Sequence, residues 1–244
     1  MHDHPIGVIS VVDVLLHTAA MGENTARAET VGLIADRLVA LAPGHPARVA
    51  VDGITAAGKT TLANELAAAV TARGRSALRL SMDGYHHRRS HRYRQGRDSA
   101  DGYYEDAYDF LAFVRLVLAP LGPGGSGAYR RRIIDLPTDE PIHEPPIQAP
   151  SDAILIVDGS FLQRRELRSH WDLVVFVHTD FDTAKNRGSR RDAAAFGSVD
   201  NARAAFESRY HAASRRYLDE VDPAAQADIV LTNNDLDNPV LARG

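Results

Sequence analysis

Gly53-Ile54-Thr55-Ala56-Ala57-Gly58-Lys59-Thr60-Thr61 follows the apolar run Arg48-Val49-Ala50-Val51-Asp52 and leads into a helix-patterned segment from Leu62. The spacing satisfies G-x-x-x-x-G-K-[ST] in full, and a strand pattern before with a helix pattern after is the context that motif requires. Gly53 and Gly58 permit a tight turn with positive φ, so that successive backbone N–H groups converge on an anion. Lys59 adds a point charge, the Thr60 hydroxyl offers an oxygen to Mg²⁺, and the N-terminus of the following helix adds partial positive charge. The whole stretch from Gly53 to Thr61 therefore reads as a cradle for nucleotide phosphates.

Working outward, Leu62, Leu66, Ala69 and Val70 continue one helical face up to Arg73-Gly74, and Ala77 to Met82 reads as a second strand. Strand, helix, strand implies a right-handed βαβ unit whose ligands lie beyond the carboxyl ends of the strands. Asp83 stands at such an end. It is either a general base for a hydroxyl attacking a γ-phosphoryl group or a cap for the next turn. Upstream, Thr25 to Leu41 has helical spacing and is stopped by Ala42-Pro43-Gly44.

Downstream, Ala153 to Val157 is a continuous apolar run suited to a central parallel strand, and it ends in Asp158-Gly159. Asp158 is placed either to complete the Mg²⁺ shell opposite Thr60 or to cap the segment from Ser160. Leu173 to His178 is a further buried strand, and Asp182 to Asp192 is helix-patterned. On that helix Arg187, Arg190 and Arg191 fall at i, i+3 and i+4 and share a face, either a clamp on phosphate or a solvated basic surface. A clamping arginine is worth ~10³ to 10⁵ in rate. Asn201 to Asp219 forms another helix before Pro223, and Asp228 to Thr232 a last strand whose end, Asn233-Asn234, falls near a nucleobase site.

The stretch between the second strand and Ala153 is less regular. Arg88, Arg89, Arg92, Arg94 and Arg97 are followed by Asp98, Asp101, Glu105, Asp106 and Asp109, so the two halves can neutralise each other as a solvated insertion. Tyr85, Tyr93, Tyr103, Tyr104 and Tyr108 offer either stacking faces or packing. His86, His87 and His91 make a poor metal site, because five arginines would repel the cation. Phe110 to Leu118 has a helix pattern, Tyr129 to Ile134 alternates as an edge hairpin whose arginines either lie near anionic ligands or merely charge the edge against aggregation, and the prolines between Thr138 and Asp152 indicate an extended loop.

Composition narrows the function classes. A chain of 244 residues with 44% hydrophobic content can bury a large core. A formal net charge of −4 supplies no global basic field, which argues against nucleic acid and anionic membrane as partners. With no cysteine, neither disulfides nor thiolate metal sites exist, and a cytoplasmic location is the simplest. Residues 6–20 contain Asp13 and His17 and fall short of the ~20 apolar residues that span a bilayer, and the start lacks the positive charge of a secretion signal. Met21 offers an alternative start, with residues 1–20 expendable.

Together these residues resemble the uridine kinase and phosphoribulokinase-like branch of P-loop kinases, over roughly Val49 to Leu231. The phosphate loop carries most of the likeness. Ser81-Met82-Asp83-Gly84-Tyr85 is similar to that family's segment after the second strand, Tyr104 to Phe110 to its Pro-Asp-Ala-Phe-Asp segment, and Arg187-x-x-Arg190-Arg191-Asp192 to its lid. Glu105 replaces the proline, and Asp158 stands where many members have glutamate. The resemblance implies an α/β, three-layer P-loop NTPase fold with a mostly parallel central sheet, a substrate-binding insertion at 84–150 and a short helical lid near 182–200. Residues 1–47 would be an N-terminal extension with a packing helix, and residues 48–244 the kinase domain. It further implies ATP or GTP with Mg²⁺ as cofactors, and phosphoryl transfer to a small-molecule hydroxyl, first of all the 5′-hydroxyl of uridine or cytidine. In that scheme Asp83 is the base, Lys59 and the three lid arginines act on the triphosphate, and Tyr85, Asp106 and Tyr129 hold the acceptor. A pantothenate-like or sugar-phosphate-like acceptor, a regulatory ATPase, and assembly into a homo-oligomer stay open.

Overall fold

The computed structural model describes residues 26–244, so the reading of residues 1–20 as an expendable extension lies outside the described part. Residues 26–39 form helix α1, followed by β1 (Ala47–Gly53), α2 (Lys59–Ala72) and β2 (Ala77–Ser81). Helix α3 (Ala100–Asp106) begins at Ser99, whose Oγ accepts a hydrogen bond from the Gly102 N–H. Then come β3 (Ile154–Gly159), β4 (Leu173–His178) and α4 (Phe181–Phe196), which ends at Gly197 in the left-handed region. Val199–Ala205, Phe206–His211 and Ala212–Val221 run on as one rod, α5, whose middle stretch is wound with wider π-type turns. Strands β5 (Ile229–Thr232) and β6 (Val240–Arg243) close the chain.

The six strands lie in the order β6-β5-β4-β1-β3-β2, and all neighbours pair in parallel except β6, which runs antiparallel along the β5 edge. Strand β1 sits between β3 and β4, with Ala47 opposite Ile154 and Val49 opposite Leu173. The continuous apolar run of β3 follows from burial on both faces. Ile154 and Ile156 pack with Val49, Val51, Leu62 and Leu66 under α1 and α2, whereas Leu155 and Val157 pack with Phe113, Phe161 and Tyr217 on the other side. Each such fully buried aliphatic side chain contributes about 1.5–3 kcal/mol. The fold is thus the three-layer α/β arrangement that the resemblance implied.

Three local expectations change. Tyr129 to Ile134 is not one hairpin: only Ala128–Tyr129 pairs with Ile147–Gln148, and Ile134–Asp135 pairs with Glu140–Pro141. The residues between are drawn off by other partners, because the Arg130 N–H donates to the Leu116 carbonyl and the Ile133 N–H to the Gly84 carbonyl. Phe110 to Leu118 is helical but changes from α-type to π-type turns at Val114. Pro223 starts a helical turn, Pro223–Gln226, rather than only ending one, as its fixed φ suits a first helical position.

Candidate active site

The loop between β1 and α2 is shaped by a close approach of Asn233. Gly58 has φ of 95°, and a Cβ there would lie 2.5 Å from Asn233 Nδ2, which itself donates to the Ala57 carbonyl at 2.7 Å. Asn233 therefore braces the phosphate loop from the end of β5. Lys59 is folded into the loop, with Nζ donating to the Ile54 carbonyl at 2.7 Å and to Ser160 Oγ at 3.3 Å. Burial lowers its ammonium below the usual value, against the pull of the carboxylates of Asp158, Asp52 and Asp83.

The Thr60 hydroxyl donates to Asp158 Oδ2 at 2.5 Å, which brings together the two oxygens expected of a Mg²⁺ site. Asp158 stands at the end of β3, almost fully buried, and its other oxygen accepts from Arg79 Nη2 on neighbouring β2 at 2.6 Å. These are hard oxygen donors at the mouth of a phosphate loop. Mg²⁺ is usually held by one or two protein groups plus substrate phosphates, so the donor set fits that ion. Among the described residues no group of three or more His, Asp or Glu side chains forms a self-contained metal site.

Asp83 lies in the turn Met82–Tyr85 directly after β2, its side chain open to a cleft. His86 stacks on Tyr108 with ring centroids 4.2 Å apart and holds Nδ1 2.8 Å from the Ala107 carbonyl. With Nδ1–H directed at that carbonyl, Nε2 faces Asp83 Oδ1 at 3.5 Å and can donate to it only as an imidazolium. Loss of water around Asp83 opposes its charge, but the His86 hydrogen bond and the charges of His86, Lys59 and Arg191 hold the carboxyl below its usual value. It is thus kept ionised, as a proton acceptor must be.

Two cavities meet at this carboxylate. One, of about 360 Å³, is lined by Thr55, Ala56, Gly58 to Thr61, Asp158, Ser160, Arg187 and Leu236, and the other, of about 580 Å³, by Arg89, Arg92, Tyr93, Arg97, Arg209 and Tyr210. Both share Thr55, Asp83, Tyr103, Tyr108 and Arg191 as a common wall. The geometry suits a triphosphate in the first chamber and a second molecule in the other, with Asp83 between them.

Other expected site residues fall elsewhere. Tyr85 is fully buried in the core, edge-on to Phe113, with its hydroxyl donating to the Arg130 carbonyl at 2.7 Å. Tyr129 is buried in its two-residue ladder and lines neither cavity. Asp106 is buried under Arg94 and under Gln95, whose Nε2 donates to it at 2.8 Å, so its oxygens are already satisfied. Of the arginine face, Arg187 and Arg191 reach the cavities while Arg190 is exposed and lines neither. Arg187 donates to the Asn233 and Asn234 carbonyls at 2.8 and 2.6 Å, and Arg191 grips Asp192 at 2.7 Å.

The sequence reading also passed over a buried network behind the loop. Asp52 accepts from the Tyr217 hydroxyl at 2.5 Å, from Gln163 Nε2 at 3.0 Å and from the Leu162 N–H at 3.3 Å. Burial raises its carboxyl above the usual value, opposed by those hydrogen bonds and by Lys59. Its partners are 111 and 165 residues away, so no local spacing could announce them.

The sheet order, the phosphate loop and the paired Thr60 and Asp158 define the fold class of the P-loop kinases. Within it the likeness to the uridine kinase and phosphoribulokinase-like branch is borne out by relatives. The chain is 26% identical over 197 residues to a curated uridine kinase from Leuconostoc citreum (strain KM20), a match covering 76% of this chain and 90% of that one. Among solved structures, a candidate uridine kinase from Bacillus stearothermophilus superposes with a TM-score of 0.65 at 24% identity, covering 83% of this chain and 97% of that chain. A candidate fructose transport system kinase from Silicibacter sp. TM1040 gives 0.64 at 22% identity, covering 77% and 93%. No family model matches the chain. No helix among the described residues is long and apolar enough to cross a membrane.

Proposed function

We propose that this chain is a nucleoside triphosphate-dependent kinase that moves the γ-phosphate to a hydroxyl of a small acceptor. The observation that carries this reading is the shared wall: one carboxylate, Asp83, faces both the phosphate-loop chamber and the arginine-lined chamber. In the reaction the acceptor O–H gives its proton to Asp83 as its oxygen bonds to the γ-phosphorus, and the bond from that phosphorus to the bridging oxygen breaks to release a nucleoside diphosphate. Backbone N–H groups of residues 53 to 61 and Lys59 hold the triphosphate, and Arg187 and Arg191 close on it from α4, acting as the lid. Thr60 and Asp158 would hold Mg²⁺, which neutralises charge on the β- and γ-phosphates when bound.

The acceptor has two candidates. The 5′-hydroxyl of uridine or cytidine is supported by the similarity to the Leuconostoc citreum uridine kinase. An acidic acceptor is favoured by the five arginines of the larger chamber. A panel of nucleosides, sugars, sugar acids and sugar phosphates with ATP or GTP and Mg²⁺, read as acceptor-stimulated release of nucleoside diphosphate, tests the reading. Hydrolysis that ignores every acceptor would point instead to a regulatory ATPase. Asp83→Asn is expected to lower turnover by ~10² to 10⁴ with nucleotide affinity unchanged; a variant that keeps full turnover removes Asp83 from the reaction.

A further inference from the structure

The larger chamber holds more positive charge than its own residues can neutralise. Five guanidiniums line it, against the carboxylates of Asp83 and Asp192. Three of the five are already engaged. Arg89 donates to the Pro137 carbonyl at 2.7 Å, Arg92 to Asp139 at 2.8 Å, and Arg191 to Asp192. Arg209 and Arg97 have no carboxylate within ion-pair distance among the described residues.

Arg209 is the more telling of the two. It is 7% exposed, and its Nε has no hydrogen-bond partner. Its guanidinium lies over the rings of Tyr93, Tyr103 and Tyr210 at 5.2, 5.2 and 5.3 Å. Three aromatic faces hold a planar cation in place but supply no counter-charge. A buried charge without an ionic partner is costly and is rarely kept without one. Arg97 stands 5.8 Å from the centroid of one ring of the same cage, Tyr93. Burial would raise the Tyr93 phenol, yet hydrogen bonding and charge from Arg92 and from Arg209 draw it below its usual value.

We infer that Arg209, seconded by Arg97, binds an anionic group on the acceptor, so that the molecule phosphorylated beside Asp83 is a carboxylate- or phosphate-bearing alcohol rather than a neutral nucleoside. This rests on the kinase reading only for its last step, because anion binding at Arg209 can be measured without turnover. The two anions share the chemistry a guanidinium recognises, a pair of oxygens accepting parallel N–H bonds.

The test has two readouts on wild type, Arg209→Gln and the surface variant Arg97→Gln. The first is thermal stabilisation by gluconate, ribose 5-phosphate, uridine and fructose in the absence of nucleotide. The second is KM and kcat for whichever of these is phosphorylated with ATP and Mg²⁺. One of the two charged probes is expected to stabilise the wild type, with gluconate against ribose 5-phosphate telling carboxylate from phosphate. Arg209→Gln is expected to weaken that binding and raise the KM by ~10- to 100-fold, and Arg97→Gln by less, with kcat changed little. If Arg209→Gln fails to fold, the exposed Arg97→Gln carries the same comparison. Stabilisation that Arg209→Gln weakens, together with hydrolysis that ignores every acceptor of the wider panel, would keep the anion site and remove the kinase reading. Turnover of uridine with a KM that neither variant changes, or no stabilisation by either charged probe, overturns the inference.

Discussion

At the scale of single residues, helix α4 separates two arginines that the sequence could not. A helical face is wide, and i, i+3 and i+4 spacing puts Arg187, Arg190 and Arg191 on it together. One turn of the ridge nonetheless sends Arg190 outward, while Arg191 lies on the wall shared by both chambers. Arg191→Ala is expected to lower kcat by ~10² or more, and Arg190→Ala by less than about twofold, in the same coupled assay. Equal losses would mean that the lid rotates on closing. The same limit explains Tyr85, Asp106 and Tyr129, whose neighbours decide between pocket and core. Lys59, Thr60 and Asp83 were legible because their chemistry is local to one strand end and one loop. Arg209 was not, since its cage comes from Tyr93 and Tyr103, over a hundred positions earlier.

At the scale of elements, α4 and α5 meet through a helix-interior glycine. A Cβ on Gly188 would lie 2.0 Å from Cζ of Phe206, so the ring rests directly on the α4 backbone. Alanine would gain about 0.5–1 kcal/mol of helix propensity, but forcing the ring away costs about 1–3 kcal/mol. Gly188→Ala should therefore lower the melting temperature by up to roughly 10 °C, given the ~2–4 °C per kcal/mol expected for a domain of this size. A melting temperature that rises would show that the two helices slide apart freely. Element types were readable from period and continuity: β1, β3 and β4 were expected within two residues of their ends. Strand β6 was missed because Val240–Arg243 is mostly exposed and too short to show a pattern.

At the scale of the whole molecule, stability should depend on acid through a buried histidine. His211 is fully buried between Phe181 and Phe206, at 4.8 and 5.6 Å, and neither ring nitrogen has a hydrogen-bond partner. Burial lowers its pKa to about 4, helped by the charge of Arg215 and resisted by Glu207. Between that value and its usual 6.5 the unfolded chain binds a proton that the folded chain does not, so stability falls as pH falls through this window. The expected loss is on the order of 2 kcal/mol, smaller than the full shift because local opening admits water. Denaturant titrations of wild type and His211→Gln at pH 7 and pH 4.5 measure it. A variant that loses as much as the wild type would assign the acid sensitivity to other groups.

The common wall of the two chambers has one more consequence at this scale. Thr55, Asp83, Tyr103, Tyr108 and Arg191 cannot be moved or dried by a ligand on one side without altering what a ligand on the other side meets. Any coupling so transmitted is thermodynamically reciprocal: the factor by which the nucleotide changes acceptor affinity equals the factor by which the acceptor changes nucleotide affinity. Whatever coupling these five side chains transmit, the order in which two ligands arrive changes the kinetics and leaves the ternary complex equally stable.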